Sequence, residues 1–505
     1  MGYARVRAIG LVGSDGHPVT VEAHVAGGLP GLVMSGLPDA SLSEARDRVR
    51  AAVINSGEEW PNRKVTVNLL PADLPKRGSG FDLAVAVVIL AATEKLSLAR
   101  LRGTALVGEL GLDGLIRPVR GVLPMVLASA RAGIRRVVVP AANAAEAALV
   151  PDVVALTPET LEQLVEYLRA GVPIPRPATA EPVDDDDGPD LADVVGQERG
   201  RFALELAAAG RHHLALIGPP GSGKTMLAQR LPSILPALDD AAALEVTALH
   251  SVAGVLPAVP RLIRRPPFQA PHHTASTAAL VGGGSGLARP GALSLAHNGV
   301  LFLDEAPHFG VSVLNALRQP LEEGSVTLAR SQGSTRFSAR IQLVLAANPC
   351  PCGSPKGAGC TCSPLARRTY FHRLSGPLLD RIDLQVRLDP VGAAALVSQP
   401  GIQATSAQVL KRVVAAREAA AQRWTGRGFS VNAHAPGALL RCPPFRLPSS
   451  ITRALAERVD RGTLSARGYD RVLRTAWTIV DIDGRTSPSA DDVREALELR
   501  TGEAP

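Results

Sequence analysis

The sequence predicts a multidomain α/β protein: an α+β N-terminal region, a phosphate-loop α/β domain built on a parallel sheet, and a helical C-terminal region. Three observations predict it. Gly218-Pro219-Pro220-Gly221-Ser222-Gly223-Lys224-Thr225 matches the phosphate-loop pattern at every fixed position, after the apolar run Leu214 to Ile217 and before the helix formers Met226 to Arg230. A second apolar run, Val300 to Leu303, ends in Asp304-Glu305, the pattern of a buried parallel strand carrying carboxylates at its C-terminal end. A proline-rich, acidic stretch at 173–190 divides what comes before from what comes after.

Bulk composition sets the frame. A chain of 505 residues holds two to four domains. It is 46% hydrophobic and 20% charged, ordinary for a soluble globular protein, and its 3% aromatics leave the cores to Val, Leu, Ile and Ala. A net charge of +7 favours an anionic partner such as nucleic acid. Met1 to Gly13 lacks a signal-peptide layout, and the longest apolar run, Leu83 to Ala92, is too short to span a bilayer. The expected location is cytoplasmic, without membrane contact.

The N-terminal region, residues 1–172, mixes strands and helices. Val19, Val21, Ala23 and Val25 alternate as in a half-buried strand, and Val65 to Leu70 reads as another. Phe81 to Leu96 is apolar nearly all round, a buried helix. Arg136 to Pro140 reads as a strand and Ala141 to Leu149 as a helix. Pro173, Pro175, Pro177, Pro182 and Asp184 to Asp187 then form a stiff, solvated linker.

Phe202 to Gly210 reads as the helix before the phosphate-loop strand. In the loop, the glycines let backbone N–H groups close around phosphate oxygens. Lys224 can reach the β- and γ-phosphates of ATP, and the Thr225 hydroxyl can ligate Mg²⁺. Asp304 is placed to hold the same Mg²⁺ and Glu305 to polarise the attacking water. Eighty positions separate Lys224 from Asp304, far more than a βαβ unit of about thirty residues needs, so an insertion lies between. It carries Arg264-Arg265, His272-His273 and Gly282 to Gly284; the adjacent histidines read as loop residues rather than a metal pair.

Val311 to Leu321 reads as a helix. Ser325 to Arg330 and Thr335 to Arg340 flank a short Gly-containing turn as a β-hairpin, with Arg330 and Arg336 near its tip for DNA phosphates. Leu343 to Ala347 is a further buried strand, ending in Asn348. Cys350-Pro351-Cys352 and Cys360-Thr361-Cys362 follow, joined by a Gly-containing loop; two such pairs can surround Zn²⁺ tetrahedrally. Lys356, Arg367 and Arg368 around them suit a phosphate-contacting knob. Beyond about Asp389 the chain is helical, through Gln408 to Gln422, Ile451 to Val459, Val472 to Ile482 and Asp491 to Leu499.

Several segments resemble the ComM/YifB family of magnesium-chelatase-like proteins: Gly36 to Asp39, Arg48 to Ala52, Val67 to Leu69 with Pro71 to Leu74, Gly108 to Leu110 and Ser375 to Asp383; Pro290 to His297 resembles the matching stretch of replicative MCM helicases and of magnesium chelatases. The resemblance covers nearly the whole chain. It implies a Lon-protease-like α+β N-terminal domain (1–172), a linker (173–190), an AAA+ ATPase core of the helix-2-insert clade (191–388) and a helical lid (389–505). It implies that Val195 lines the adenine pocket, that Asn348 is sensor 1, that Arg381 is an arginine finger entering a neighbour's site, and that Arg467 is sensor 2. Its Lon-type nucleophile position holds Gly80, and its base position, near Leu123, holds no lysine, so protease activity is not expected. Gln269 and Ala292 depart from the family's usual Arg and Glu. The function implied is a hexameric, ATP-hydrolysing motor on branched or single-stranded DNA, a branch-migration helicase serving recombination or natural transformation. A magnesium-chelatase-type motor subunit, or an ATP-dependent regulatory assembly, is the alternative.

Overall fold

A computed structural model describes the chain except residues 1, 37–38, 75, 77–78, 175–187, 258, 285–287, 331–332, 355–359, 375, 391–402 and 503–505. The acidic run of the linker and Lys356 thus lie outside the described residues.

The N-terminal part is organised on a seven-stranded sheet. Its strands are β1 (Gly2–Val12), β2 (Asp15–Ala26), β3 (Gly31–Ser35), β4 (Lys64–Leu70), β5 (Thr104–Leu106), β8 (Arg136–Val138) and β9 (Val154–Leu156), in the order β3-β4-β2-β1-β5-β8-β9. A small ribbon, β6 (Glu109–Leu110) with β7 (Ile116–Arg117), lies apart from it. β1 and β2 form a long antiparallel hairpin with Val6 opposite Val21. β1 went unread in the sequence, although Ala4, Val6 and Ala8 alternate inward against exposed Tyr3, Arg5 and Arg7. Helix Asp82–Ala92 is nearly wholly buried, as its apolar circumference predicts, but ends four residues before Leu96. The stretch Ala141 to Leu149 is no continuous helix. It breaks into a 3₁₀ turn, Ala141–Asn143, and one α-turn, Ala144–Ala147. Asn143 there accepts from Val119 N–H and donates to Val119 O, which holds the break in place.

The second sheet is parallel and five-stranded: β10 (Leu214–Ile217), β11 (Phe268–Gln269), β14 (Val300–Leu303), β17 (Gln342–Ala347) and β18 (Leu384–Arg387), ordered β11-β14-β17-β10-β18. β17 is buried throughout and lies centrally between β14 and β10. Between these strands the chain adds a two-residue pair, β12 (Gly282–Gly283) with β13 (Arg289–Pro290), and a hairpin, β15 (Ser325–Arg330) with β16 (Gly333–Ser338). β16 stops at Ser338, short of the expected Arg340. Ala339 N–H bonds Gly324 O and the chain turns away to feed β17. The helix expected over Val311 to Leu321 is two, Val311–Ala316 and Arg318–Glu323. Pro320 cannot donate a backbone N–H to the turn before it.

The C-terminal part is helical: Ser406–Arg423, Ser449–Asp460, Ala466–Ile482 and Ala490–Thr501 around Trp424, Leu455 and Trp477. Thr405 and Gln408 make a reciprocal capping box on the first of these. The N-terminal sheet also docks on the part built on the parallel sheet. Ile9, Leu11 and Val126 pack with Leu249 and Val252 of helix Asp240–Ala253 and with Phe337 of β16. Gly13, at φ +65°, fits because a side chain there would strike Arg336 O and Thr335 of the hairpin. No helix among the described residues is long and apolar enough to cross a membrane.

Candidate nucleotide site and cysteine cluster

Three neighbouring strands deliver the site. The phosphate loop leaves the C-terminal end of β10, Asp304-Glu305 that of β14, and Asn348 that of β17. Parallel neighbours place such ends together on one sheet edge.

The loop is open where phosphates need room. Gly221 and Gly223 have φ of +76° and +83°, and a side chain built at either would meet nothing within 4 Å. Gly218, in contrast, is enclosed by Leu388 O and Ser222 Oγ. Lys224 donates to Gly218 O at 2.7 Å, Pro219 O at 2.8 Å and Asn348 Oδ1 at 3.1 Å. All three acceptors are neutral. Burial pulls the ammonium down from its usual range, and Asp304 and Glu305 only partly offset this. An unoffset buried cation in an open cradle fits a phosphate group. Thr225 Oγ1 donates to Asp304 Oδ2 at 2.7 Å, which sets two hard oxygens side by side as a Mg²⁺ site requires.

Glu305 sits in the left-handed region, φ +50°, an uncommon conformation that an active site can impose. Its carboxylate faces His308 Nδ1 at 3.3 Å and His273 Nδ1 at 3.4 Å. His272 stacks on His273, and the His308 ring meets Tyr370 edge-on. Of the two insert histidines, read in the sequence as loop residues, His273 thus reaches a carboxylate of the site. Val195 is half-buried. Two residues on, Gln197 (φ +56°) donates to Ser222 O at 3.0 Å and Asp389 O at 2.6 Å, tying the segment to the phosphate loop. Sequence reasoning gave Gln197, His273 and His308 no role in the site: Gln197 and His273 act on residues remote in sequence, and His308, three residues from Glu305, belongs to no recognisable motif.

Arg381 follows helix Gly376–Leu379 and pairs with Glu322 of its own chain. Arg467 is exposed, in the first turn of helix Ala466–Ile482. Ser465, which caps that helix, donates to Asp380 Oδ1 at 3.3 Å, so the two arginine-bearing turns adjoin. Arg336 is less near the hairpin tip than expected. It stands opposite Thr327, and its Nε donates back to Ser325 Oγ at 2.9 Å. Arg330 ends β15 opposite Gly333, and its side chain lies outside the described residues.

The four clustered cysteines converge. Their Sγ atoms all lie within 4.8 Å of one another, with Cys350 to Cys360 and Cys352 to Cys360 at 3.6 Å. Four thiolates about 2.3 Å from one zinc ion stand roughly 3.8 Å apart. All four are free thiols. Burial pushes the Cys350 thiol up to about 12, while the Ser354 backbone and the neighbouring thiols pull Cys352 down to about 6. Arg367 Nη2 lies 3.4 Å from Cys360 Sγ. A side chain at Gly353 would strike Pro220, so this loop rests on the phosphate loop.

In the N-terminal part, Gly80 lies in a 3₁₀ turn and Leu123 is buried, its N–H donating to Glu146 at 2.8 Å. Ser79 Oγ donates to the Glu109 carboxylate. The Lys76 ammonium is turned onto the Pro71 and Leu74 carbonyls.

Three family models match the chain: "Magnesium chelatase, subunit ChlI" over residues 190–396, "Subunit ChlI of Mg-chelatase" over 21–143, and "Magnesium chelatase, subunit ChlI C-terminal" over 403–500. An uncharacterized protein of Mycobacterium tuberculosis is 53% identical over 500 residues, 99% of each chain. YifB of Escherichia coli is 42% identical over 99% of this chain and 97% of its own. Competence protein ComM of Haemophilus influenzae is 39% identical over 99% and 98%. Lon protease of Rhizobium meliloti is 31% identical over 115 residues, 22% of this chain and 14% of its own.

Proposed function

Because the chain belongs to the magnesium-chelatase-like ComM/YifB family, we propose that it is an ATP-hydrolysing ring motor acting on DNA. One observation supports the ATPase most: Lys224, Thr225, Asp304, Glu305 and Asn348 arrive together from three adjacent parallel strands. Lys224 and the N–H groups of Gly221 to Thr225 bind the phosphates, exchanging neutral carbonyls for charged oxygens. Thr225 and Asp304 hold Mg²⁺, which when bound offsets phosphate charge. Asn348 orients the γ-phosphate, and Glu305 takes a proton from the attacking water while His273 and His308 steady its carboxylate. Val195 and Gln197 border the base. Arg381 completes a neighbouring subunit's site once its Glu322 pairing opens, Arg467 joins from the lid, and the assembly is a hexameric ring.

The cysteine loop holds Zn²⁺ through Cys350, Cys352, Cys360 and Cys362 and acts as a structural knob beside the phosphate loop. The hairpin, through Arg330 and Arg336, and Lys356 on the knob meet DNA phosphates with little sequence preference. The name of the Haemophilus relative, a competence protein, supports a competence-related role, and branch migration of DNA is the activity we propose from the family resemblance. The chain is assigned to the cytoplasm, with division at 172, 190 and 388. Its N-terminal domain is non-proteolytic: Ser79 donates to the Glu109 carboxylate and Lys76 to carbonyls, so the two do not form the serine–lysine pair of a Lon-type site.

The test is ATP turnover with and without forked DNA, together with movement of a synthetic four-way junction. DNA stimulation and junction migration are expected. The family-model descriptions favour a second reading, a motor subunit for metal insertion. Turnover indifferent to DNA, with no junction movement, would sink the DNA motor and favour that reading.

A further inference from the structure

A cleft of about 1150 Å³ opens where the N-terminal sheet, the parallel sheet and the C-terminal helices meet. One helix from each part lines it. Helix Val122–Arg131 contributes Leu127 and Arg131, helix Asp240–Ala253 contributes Glu245 and Ala248, and helix Ser406–Arg423 contributes Arg417 and Ala421. Spacings of three and four residues place each pair on one helical stripe. The volume and the part-apolar walls match a ligand site rather than a packing defect.

Two guanidiniums form one wall. Arg417 donates through Nε and Nη2 to Ala208 O at 3.0 and 2.7 Å. Arg211 donates through Nη2 to Arg340 O at 2.9 Å and Asn298 Oδ1 at 3.4 Å. Every acceptor is neutral, and neither arginine makes an ion pair among the described residues. Arg340, next to them, is already paired with Glu245 at 2.6 Å. Asp15, Asp239 and Glu418 border the cleft, but none reaches either guanidinium. Burial, and then the charge of Arg340 for Arg211 and of Arg211 for Arg417, pull both down to about 10. His434, on the same cleft, is pulled down to about 4 by burial and by Arg211, so it adds no charge near neutral pH. A buried cation without a counter-charge is costly. Arg211 carries a further cost: it closes helix Glu198–Gly210 at φ +61°, where Gly or Asn is favoured.

We propose that this cleft is a second anion site, which binds a small phosphate-bearing ligand with its phosphate between Arg211 and Arg417. A phosphate carries enough charge and enough acceptors to serve both guanidiniums at once, and each keeps N–H groups for it. The cleft has room beyond the phosphate for a nucleoside, against Leu127 and Ala421. A ligand here touches all three parts of the molecule, so it reports on how they are set against one another. The proposal stands independently of the ATPase reading.

The test uses the full chain carrying Lys224→Ala, which weakens binding at the phosphate loop, with inorganic pyrophosphate and ADP as probes. Hydrogen exchange should show protection of helices Ser406–Arg423 and Asp240–Ala253. Calorimetry should give one ligand per chain, bound roughly tenfold or more weakly after Arg417→Met. Tighter binding of ADP identifies a nucleotide as the ligand; equal binding identifies a free diphosphate. Protection confined to 218–225, or affinity indifferent to Arg417→Met, overturns the proposal. If Arg417→Met does not fold, the exchange pattern of the Lys224→Ala chain decides alone. If forked DNA protects these helices and neither small probe does, the cleft is a nucleic-acid groove and the small-ligand site is wrong.

Discussion

The roles proposed for Lys224 and Glu305 separate binding from chemistry at the level of single side chains. The Lys224 ammonium is held by three neutral acceptors, so its charge is available to a phosphate. Lys224→Ala should weaken nucleotide binding by roughly ten- to a hundredfold, the value of one or two charge-assisted hydrogen bonds. Glu305→Gln keeps shape and removes basicity, so nucleotide should still bind while turnover falls by about 10²–10⁴. Fluorescent-nucleotide titration and phosphate release measure the two arms; equal turnover in Glu305→Gln and the parent would remove Glu305 from the base role. Asp383 makes a second residue-scale case. Burial alone would raise its carboxyl, but Arg471, His212 and His213 outweigh it and hold the group well below the usual carboxylate range. A depressed pKa means that its stabilisation is present above about pH 4 and is lost as pH falls through the folded value. Arg471→Met leaves Asp383 buried and unpaired, which costs about 3–5 kcal/mol near neutrality. That deficit should shrink as pH falls and Asp383 takes a proton. Melting temperatures at pH 7 and pH 4.5 measure it, and a gap that does not narrow would contradict the assignment.

Among elements, the strands that build the site were legible and their neighbours less so. β10, β14 and β17 announce themselves as apolar runs that end in a chemical residue, because strands buried on both faces leave no alternation to interpret. The cysteines were legible because four of five fall in one short loop. What was not legible depends on contacts between elements. Nothing near Glu305 in sequence points to His273, thirty-two residues earlier, and nothing near Arg381 points to Glu322. The Ala141 to Leu149 break likewise depends on Val119, far back in the chain. The loop between β17 and helix Pro364–His372 joins the two kinds of feature: its cysteines converge, and its Gly353 lies on Pro220 of the phosphate loop. Cys352→Ser should therefore lower zinc content measured by elemental analysis and also raise the KM for ATP by several-fold, since the loop that supports Pro220 loosens. Zinc-free wild-type protein with normal turnover would refute both the metal and the coupling.

For the whole molecule, the question is whether one chain's site needs another. Arg381 is paired within its own chain to Glu322 and follows Asp380, which accepts from Ser465, whereas Lys224 and Glu305 lie at the sheet edge. If Arg381 acts across a head-to-tail interface, each working site combines the phosphate loop of one chain with the arginine of the next. Lys224→Ala abolishes the first half and leaves the second intact; Arg381→Ala does the reverse. Each variant alone should be nearly inactive, Arg381→Ala by about 10³ or more. Mixed in equal amounts and allowed to exchange subunits, they should regain activity, because one interface in about four then pairs an intact loop with an intact arginine. Recovery to roughly a quarter of the parental rate fits independent sites, and a smaller recovery fits coupled ones. An arginine working within its own chain could not be rescued, since no chain in the mixture carries both halves. Phosphate release from the mixture against each variant alone therefore decides whether Arg381 works across a subunit interface or within its own chain.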